Sequence, residues 1–202
     1  MSALWAIPLA FVAGAVPFSN IAARRRAGVD LRAVGSGTVS GTSLYRVAGF
    51  GPLAVAGVLD VAKGSVGPLL AGDGPAVRAV CAGAAVAGHN WSPFLRGAGG
   101  RGLAPGIGAL FATAWPGGVV LLGGMVVGRA VRATGLGSFV AQVALAPVLG
   151  VTHGGGGALA GACVAVPMLV KRVLGNRAPP RRGVGVYAHR LLFDNDGEVV
   201  AE

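Results

Sequence analysis

The sequence predicts an all-α integral membrane protein with about seven transmembrane helices, some of them short, an outside N-terminus and a cytoplasmic C-terminus. Of its 202 residues, 53% are hydrophobic and only 12% are charged, whereas about a quarter of the residues in a soluble domain are charged. Long apolar stretches recur along the chain, and the 17 basic residues lie at their ends. Basic residues placed in this way mark cytoplasmic loops.

The apolar stretches begin with residues 3–23, which are long enough to cross a bilayer core that needs roughly 20 residues. A single stretch of this kind could be a signal peptide. Four more follow, at 47–72, 79–95, 103–128 and 133–170. Removal of an N-terminal leader therefore cannot account for the pattern.

The basic residues also predict the direction of each crossing. Arg24, Arg25 and Arg26 follow the first stretch, so this end is expected in the cytoplasm. If residues 103–128 formed one helix, Arg129 and Arg132 would lie outside the cell. The residues at 115–118 favour a break, which returns these arginines to the cytoplasm and gives two helices of roughly 18 Å each. These are shorter than a bilayer core of about 30 Å and must tilt or pack inside the protein.

The last stretch, 133–170, is long enough for two spans separated at 152–157. This gives seven spans with all basic residues cytoplasmic except Lys63 and Arg78, and a six-span arrangement is the alternative. The predicted division is a transmembrane domain at 1–175 and a cytoplasmic tail at 176–202.

The net charge of +10 does not predict a nucleic-acid partner, because the basic residues form no single stripe with interleaved aromatic residues. Cys81 and Cys163 lie in apolar stretches without the spacing of metal ligands, and small buried residues are the ordinary interpretation. We expect neither a metal nor a cofactor.

Residues 35–43, which we call the first glycine loop, concentrate glycines and hydroxyl side chains ahead of Arg46. Glycines expose backbone N–H groups, and a guanidinium is suited to phosphate. The loop is therefore a candidate anion site, and a flexible linker is the alternative. The candidate phosphate-binding residues are Gly35, Ser36, Gly37, Thr38, Thr42, Ser43 and Arg46.

The second glycine loop, residues 97–102, follows His89 at the predicted cytoplasmic end of a span. It adds Gly99, Gly100, Arg101 and Gly102 to the candidate phosphate-binding residues. A lone histidine at such a position is more often structural than catalytic. The presence of two glycine-rich basic loops on one side of the membrane nevertheless favours an anionic ligand.

Asp60 and Lys63 lie three residues apart within a span and therefore on one helix face. Ionisable residues are costly in a membrane and usually indicate function or a buried pair. Lys63 is a candidate phosphate ligand, and a structural ion pair with Asp60 is the alternative. His153 and His189 are given no role.

The two loops resemble motifs of the bacterial acyl-phosphate:glycerol-3-phosphate acyltransferase family. Residues 35–46 read G-S-G-T-V-S-G-T-S-L-Y-R where the family usually has G-S-G-N-x-G-A-T-N-x-x-R, and D-x-x-K-G follows at 60–64. Residues 88–95 and 99–102 read G-H-N-W-S-P-F-L and G-G-R-G, similar to G-H-x-x-P-x-F-L and G-G-K-G. The resemblance covers about residues 5–175.

The resemblance implies seven spans in a bacterial plasma membrane and an active site at the cytoplasmic face. It also implies acyl phosphate as donor, glycerol 3-phosphate as acceptor and lysophosphatidic acid as a product used for phospholipid biosynthesis. The expected catalytic residues are Ser36, Arg46, His89 and Arg101. The arginines, Ser36 and glycine amides would hold both phosphates close together.

The chain departs from the family motifs at several positions. Thr38 and Ser43 stand in place of asparagines, Arg101 in place of lysine and Pro105 in place of threonine. A third motif, H-R-x-N-I-x-R-L with a later Glu, survives only at residues 171–175. Two alternatives therefore remain, a non-catalytic or substrate-shifted relative that binds lipid phosphates and a small anion transporter.

Overall fold

The computed structural model describes residues 3–179 and 182–196, and this part of the chain is helical without a β-strand. Short 3-10 turns lie at Leu31–Ala33 and Pro93–Leu95. The helices are α1 (Ala6–Ala15), α2 (Phe18–Ala27), α3 (Gly41–Ala48), α4 (Phe50–Leu70), α5 (Pro75–Asn90), α6 (Leu103–Thr113), α7 (Trp115–Ala130), α8 (Thr134–Leu174) and α9 (Val184–Phe193).

The helix ends show where the sequence interrupts the apolar stretches. The first predicted span is a helical segment interrupted at Pro17, which lies between α1 and α2 and lacks the N–H that a continuous helix requires. The break predicted at 115–118 falls at Ala114. The break predicted at 152–157 falls at Gly154, whose φ is 65°.

Three helical segments are long and apolar enough to cross a membrane, namely α1 with α2, α4 and α8, and α6 is a shorter apolar helix. Large apolar side chains such as Val58, Val126 and Val151 are well exposed on the outer surface. Contiguous apolar surface of this kind is rare on soluble monomers and indicates contact with lipid.

Glycines allow these helices to pack closely. A Cβ added to Gly64 of α4 would overlap the backbone oxygen of Pro105 in α6, and one added to Gly108 would overlap that of Val61. Gly88 of α5 lies in the same way against the backbone of Phe11 in α1. Small residues at helix crossings are the usual means of close packing in membranes.

The connections between helices gather at two opposite ends of the bundle. At one end, the turn before α5 lies near the kink in α8, where an added Cβ on Gly156 would be 3.3 Å from the Pro75 ring. At the other end, the two glycine loops meet the C-terminus of α8 and the connection to α9. The candidate phosphate-binding loops therefore share one end.

Candidate active site

The two glycine loops are in direct contact through their backbones. The Val39 amide donates to the Gly99 carbonyl oxygen over 3.0 Å. Within the first loop, the hydroxyls of Ser36 and Thr38 are 2.9 Å apart. Ser36 is exposed while Gly37 and Thr38 are buried, so the outer part of the loop remains open to a ligand.

Asn176 fixes the contact between the loops from a third side. Its side-chain nitrogen donates to the carbonyl oxygens of Gly37 and Gly99, over 3.0 and 2.7 Å. Its side-chain oxygen accepts from the Gly99 amide over 3.2 Å. One carboxamide thereby joins both glycine loops to the chain just after α8.

Arg177 adds further support beneath the first glycine loop. Its guanidinium donates to the carbonyl oxygens of Gly35 and Arg32, over 2.8 and 2.9 Å. Sequence reasoning missed Asn176 and Arg177 because it ended the third motif at Gly175. The signal in the sequence was a pair of polar residues directly after Gly175. In the structure this glycine ends α8 with a positive φ of 64°.

His89 lies in the last turn of α5, directly against the second glycine loop. The Gly100 amide donates to the His89 carbonyl oxygen over 3.2 Å. A Cβ on Gly100 would overlap His89 Nε2 and lie 2.7 Å from the Val39 carbonyl oxygen. Glycine at position 100 is therefore required for both loops to approach the imidazole.

The Asp60–Lys63 pair lies behind His89. The Lys63 ammonium is 2.6 Å from Asp60 Oδ1, donates to the Val16 carbonyl oxygen over 2.6 Å and lies 3.1 Å from His89 Nδ1. Ser19 donates to the second oxygen of Asp60 over 2.8 Å. The prediction that Asp60 and Lys63 share a helix face is confirmed.

This arrangement bears on the predicted role of Lys63 as a phosphate ligand. The Lys63 side chain is only 4% exposed, and its ammonium is surrounded by the Asp60 carboxylate, the Val16 carbonyl oxygen and His89 Nδ1. A buried ion pair needs such additional hydrogen bonds to offset its desolvation. The Lys63 ammonium therefore lies between the Asp60 carboxylate and the His89 imidazole.

A cavity of about 10 Å³ lies between Asp60, His89 and Gly100. Such a volume holds about one water molecule. The space beside the buried ion pair therefore has room for a water molecule between Asp60 and the second glycine loop.

Arg101 is held at the end of the second glycine loop. One terminal nitrogen donates to the Lys171 carbonyl oxygen over 2.6 Å, and Nε lies 2.6 Å from a carboxylate oxygen of Asp194. Burial lowers the pKa of Arg101, and the Asp194 carboxylate acts in the opposite direction. The guanidinium therefore has a fixed orientation with a carboxylate on one edge.

Arg46 occupies a different position from Arg101. It lies in the last turn of α3, is exposed, and makes no side-chain hydrogen bond within residues 3–179 and 182–196. Thr42 is exposed at the start of the same helix, and the Ser43 hydroxyl donates to the Thr38 carbonyl oxygen over 3.0 Å. The structure does not bring Arg46 into contact with Arg101.

The connection ahead of the first glycine loop is ordered by Asp30. Its carboxylate accepts from Arg24 and from the Arg32 guanidinium, the latter over 2.7 Å. Hydrogen bonds from Arg32 hold the pKa of Asp30 well below its usual value. The loop thus begins from a turn that is fixed by two ion pairs to Asp30.

Taken together, the fold and the site define a class of protein, an integral membrane protein whose glycine-rich, arginine-bearing loops are suited to phosphate. A sequence model of the glycerol-3-phosphate acyltransferase family matches residues 4–177. The chain belongs to this family. The predicted family and the predicted enzyme class, an acyltransferase acting on glycerol 3-phosphate, are confirmed.

Individual relatives agree with this assignment. A glycerol-3-phosphate acyltransferase of Synechococcus sp. (strain CC9902) is 37% identical over 174 residues, which are 84% of this chain and 86% of the relative. A glycerol-3-phosphate acyltransferase of Rubrobacter xylanophilus is 42% identical over 139 residues, 67% of this chain and 69% of the relative.

A solved structure also resembles the chain. The crystal structure of PlsY (YgiH), an integral membrane glycerol 3-phosphate acyltransferase in its glycerol 3-phosphate form, superposes with a TM-score of 0.76. The two chains are 26% identical, and the match covers 84% of this chain and 88% of PlsY. The likeness confirms the all-helical membrane fold.

Proposed function

We propose that this protein transfers the acyl group of an acyl phosphate to glycerol 3-phosphate at the cytoplasmic face of a bacterial plasma membrane, giving lysophosphatidic acid. The observation that carries the proposal is the contact of both glycine loops beside His89, with Arg101 next to them. A fixed guanidinium beside two glycine-rich loops suits phosphate groups.

In the proposed reaction, an oxygen of glycerol 3-phosphate attacks the acyl carbonyl carbon. The new ester bond forms as the bond between that carbon and the phosphate oxygen breaks. Inorganic phosphate leaves and takes up the proton of the attacking hydroxyl. The donor is already activated, so the protein contributes proximity and charge stabilisation without a nucleophile.

In this proposal His89 acts as a hydrogen-bond donor and not as a base. With Lys63 as the donor to Nδ1, which lies 3.1 Å from Nζ, the imidazole proton is placed on Nε2. Nε2 faces Gly100 and would donate to the oxyanion that develops on the acyl carbonyl. A neutral imidazole in this tautomer cannot accept the hydroxyl proton at Nε2, which favours a substrate phosphate as acceptor.

The remaining predicted ligands are assigned by their accessibility. Ser36, Thr42 and Arg46 are exposed at or beside the first glycine loop and would contact substrate directly. The other members of the set would act through backbone amides or by holding the loops, namely Gly35, Gly37, Thr38, Ser43, Gly99, Gly100 and Gly102. Lys63 would act only through His89.

The membrane arrangement proposed here has seven crossings, with the N-terminus outside and residues 176–202 in the cytoplasm. The two interrupted stretches, at Ala114 and Gly154, support this count. Arg32, Arg101 and Arg177 lie at the end of the bundle that carries the glycine loops, and an excess of positive charge is typical of cytoplasmic loops. Residues 180–181 and 197–202 of the proposed tail lie outside the described residues.

The proposal is tested in a bacterial strain that lacks its own glycerol-phosphate acyltransferase. The chain is expected to restore growth, and membranes containing it should form lysophosphatidic acid from acyl phosphate and glycerol 3-phosphate. Arg46→Ala and Arg101→Ala should each lower the rate at least about 100-fold, because each removes a cation from a phosphate.

Arg129→Ala is the matched control, since Arg129 is an exposed arginine at the end of α7. It should leave the rate unchanged. Full activity in both Arg46→Ala and Arg101→Ala would contradict the proposed site. Failure of the parent protein to transfer acyl groups, with intact phosphate binding, would instead favour the non-catalytic alternative.

A further inference from the structure

The end of the chain beyond the family match, which stops at residue 177, is fastened to the C-terminus of α8. The Arg172 guanidinium, in a side chain that is almost fully buried, donates to the carbonyl oxygens of Leu191 and Leu192 over 2.7 and 3.0 Å. In return, Arg190 of α9 donates to the carbonyl oxygen of Leu174 over 3.2 Å. These charge-assisted hydrogen bonds fix α9 beside the candidate active site.

Asp194 follows α9 directly and has a left-handed backbone conformation, with φ of 61°. This turn directs its carboxylate to Arg101, with 2.6 Å between Oδ1 and Nε. The side chains of Arg101 and Asp194 are 11% and 29% exposed. The pair is therefore largely shielded from water, where an ion pair is weakened least by solvent.

The contacts of Arg101 divide its guanidinium into a held part and a free part. Nε is held by Asp194 and one terminal nitrogen by the Lys171 carbonyl oxygen. The second terminal nitrogen makes no hydrogen bond to residues 3–179 or 182–196. A guanidinium held at two points in this way can present its remaining N–H groups to a phosphate in a fixed direction.

The surrounding charge also depends on Asp194. Lys171 and Arg172 lie close enough to Arg101 for the positive charges to oppose one another. Asp194 attracts both arginines, and Asp196 forms an ion pair with Arg190. Without Asp194, Arg101 would be pushed away from its neighbours into other rotamers.

We propose that Asp194 is a positioning residue, which holds the Arg101 guanidinium in the orientation that binds a substrate phosphate. The inference rests on the proposed function, because it takes Arg101 as a phosphate ligand. It makes the C-terminal segment from α9 to Asp194 a part of the acyltransferase site, although this segment lies beyond the family match.

The test begins with Asp194→Asn in the full-length protein, purified in detergent. We expect the KM for the phosphate substrate held by Arg101 to rise about tenfold, because the guanidinium loses the ion-pair partner that fixes its orientation, with a smaller change in kcat. The KM values of Arg101→Lys show which of the two substrates Arg101 binds. The KM for the same substrate should rise in Asp194→Asn. Asp194→Glu should recover most of the KM effect.

Asp196→Asn is the comparison in the same segment, because Asp196 forms its ion pair with Arg190 and acts on Arg101 only at longer range. Its KM values should change much less than those of Asp194→Asn. In an Arg101→Lys background, Asp194→Asn should have no further effect on KM, since the geometry of the guanidinium is already lost. Thermal unfolding identifies any variant that fails to fold.

Three outcomes would overturn the inference. These are unchanged KM values in Asp194→Asn, an equal loss with and without Arg101→Lys, and a gain in activity, which would make Asp194 a blocking carboxylate. Calorimetric binding of glycerol 3-phosphate gives a readout without turnover. If the parent protein binds glycerol 3-phosphate but does not transfer acyl groups, the proposed function is refuted. The effect of Asp194→Asn on binding still tests the inference in that case.

Discussion

At the scale of single residues, the site depends on one position where three parts of the chain converge. Gly100 lies between the imidazole of His89 and the Val39 carbonyl oxygen, with no room for a methyl group. Its amide donates to the His89 carbonyl oxygen. The orientation of the imidazole and the contact between the glycine loops are therefore linked through this glycine.

Gly100→Ala is expected to lower the acyl-transfer rate about 100-fold, because displacement of a catalytic group by about 1 Å has an effect of this size. The measurement is formation of lysophosphatidic acid by purified variants. Gly97→Ala is the comparison within the same loop, since an added Cβ there meets no atom within 4 Å. Gly97 has a positive φ of 82°, so only a modest loss of stability is expected. Equal activity of Gly100→Ala and the parent protein would contradict the site geometry.

At the scale of helices, the position of α4 depends on a close contact between one of its glycines and α6. Gly64 lies against the backbone of Pro105 in α6, whereas Gly57 on the same helix has open space around its Cα. Asp60 and Lys63 lie between these glycines, so the approach of α4 and α6 also sets the depth of the ion pair behind His89.

Gly64→Ala is therefore expected to destabilise the protein by about 1–3 kcal/mol, as overpacking usually does. Gly57→Ala on the same helix should be neutral or slightly stabilising, because alanine favours a helix more than glycine. Thermal unfolding in detergent, followed by helical circular dichroism, compares the two variants. Equal melting temperatures would show that α4 and α6 do not pack as closely as described.

At the scale of the whole molecule, the two ends of the bundle differ in charge and content. One end carries the glycine loops, Asn176 and the segment after α9, and the other carries the turn before α5 and the kink of α8. In the proposed topology the first end faces the cytoplasm, where anionic lipid and positive-inside charge favour it.

The topology is tested with single cysteines in a variant that lacks Cys81 and Cys163. Ser36→Cys and Arg96→Cys, both at exposed positions, should react with a membrane-impermeant maleimide only after the cells are permeabilised. Asp73→Cys, in the turn before α5, should react in intact cells. Labelling of Ser36→Cys and Arg96→Cys from opposite sides would end the proposal of a shared cytoplasmic site.

Much of the site could be predicted, because several of its features are formed by residues that are close together in the sequence. Asp60 and Lys63 are brought together by helix periodicity alone, and the glycine-rich loops indicate anion binding by composition. The first predicted span is interrupted at Pro17, because proline lacks the N–H that a continuous helix requires. Arg46 was grouped with Arg101 by charge type, whereas the structure leaves it exposed and apart on α3.

The sequence by itself determined the membrane class, the helical fold, the family and the two loops, because hydropathy, charge placement and short motifs are local properties. Only the tertiary structure decided that Lys63 is occupied by protein acceptors and that Asn176 joins the glycine loops. It alone brought Asp194 to Arg101, across 93 positions of the chain. Such pairings follow from how helix ends meet in space, and no local pattern of residues encodes them.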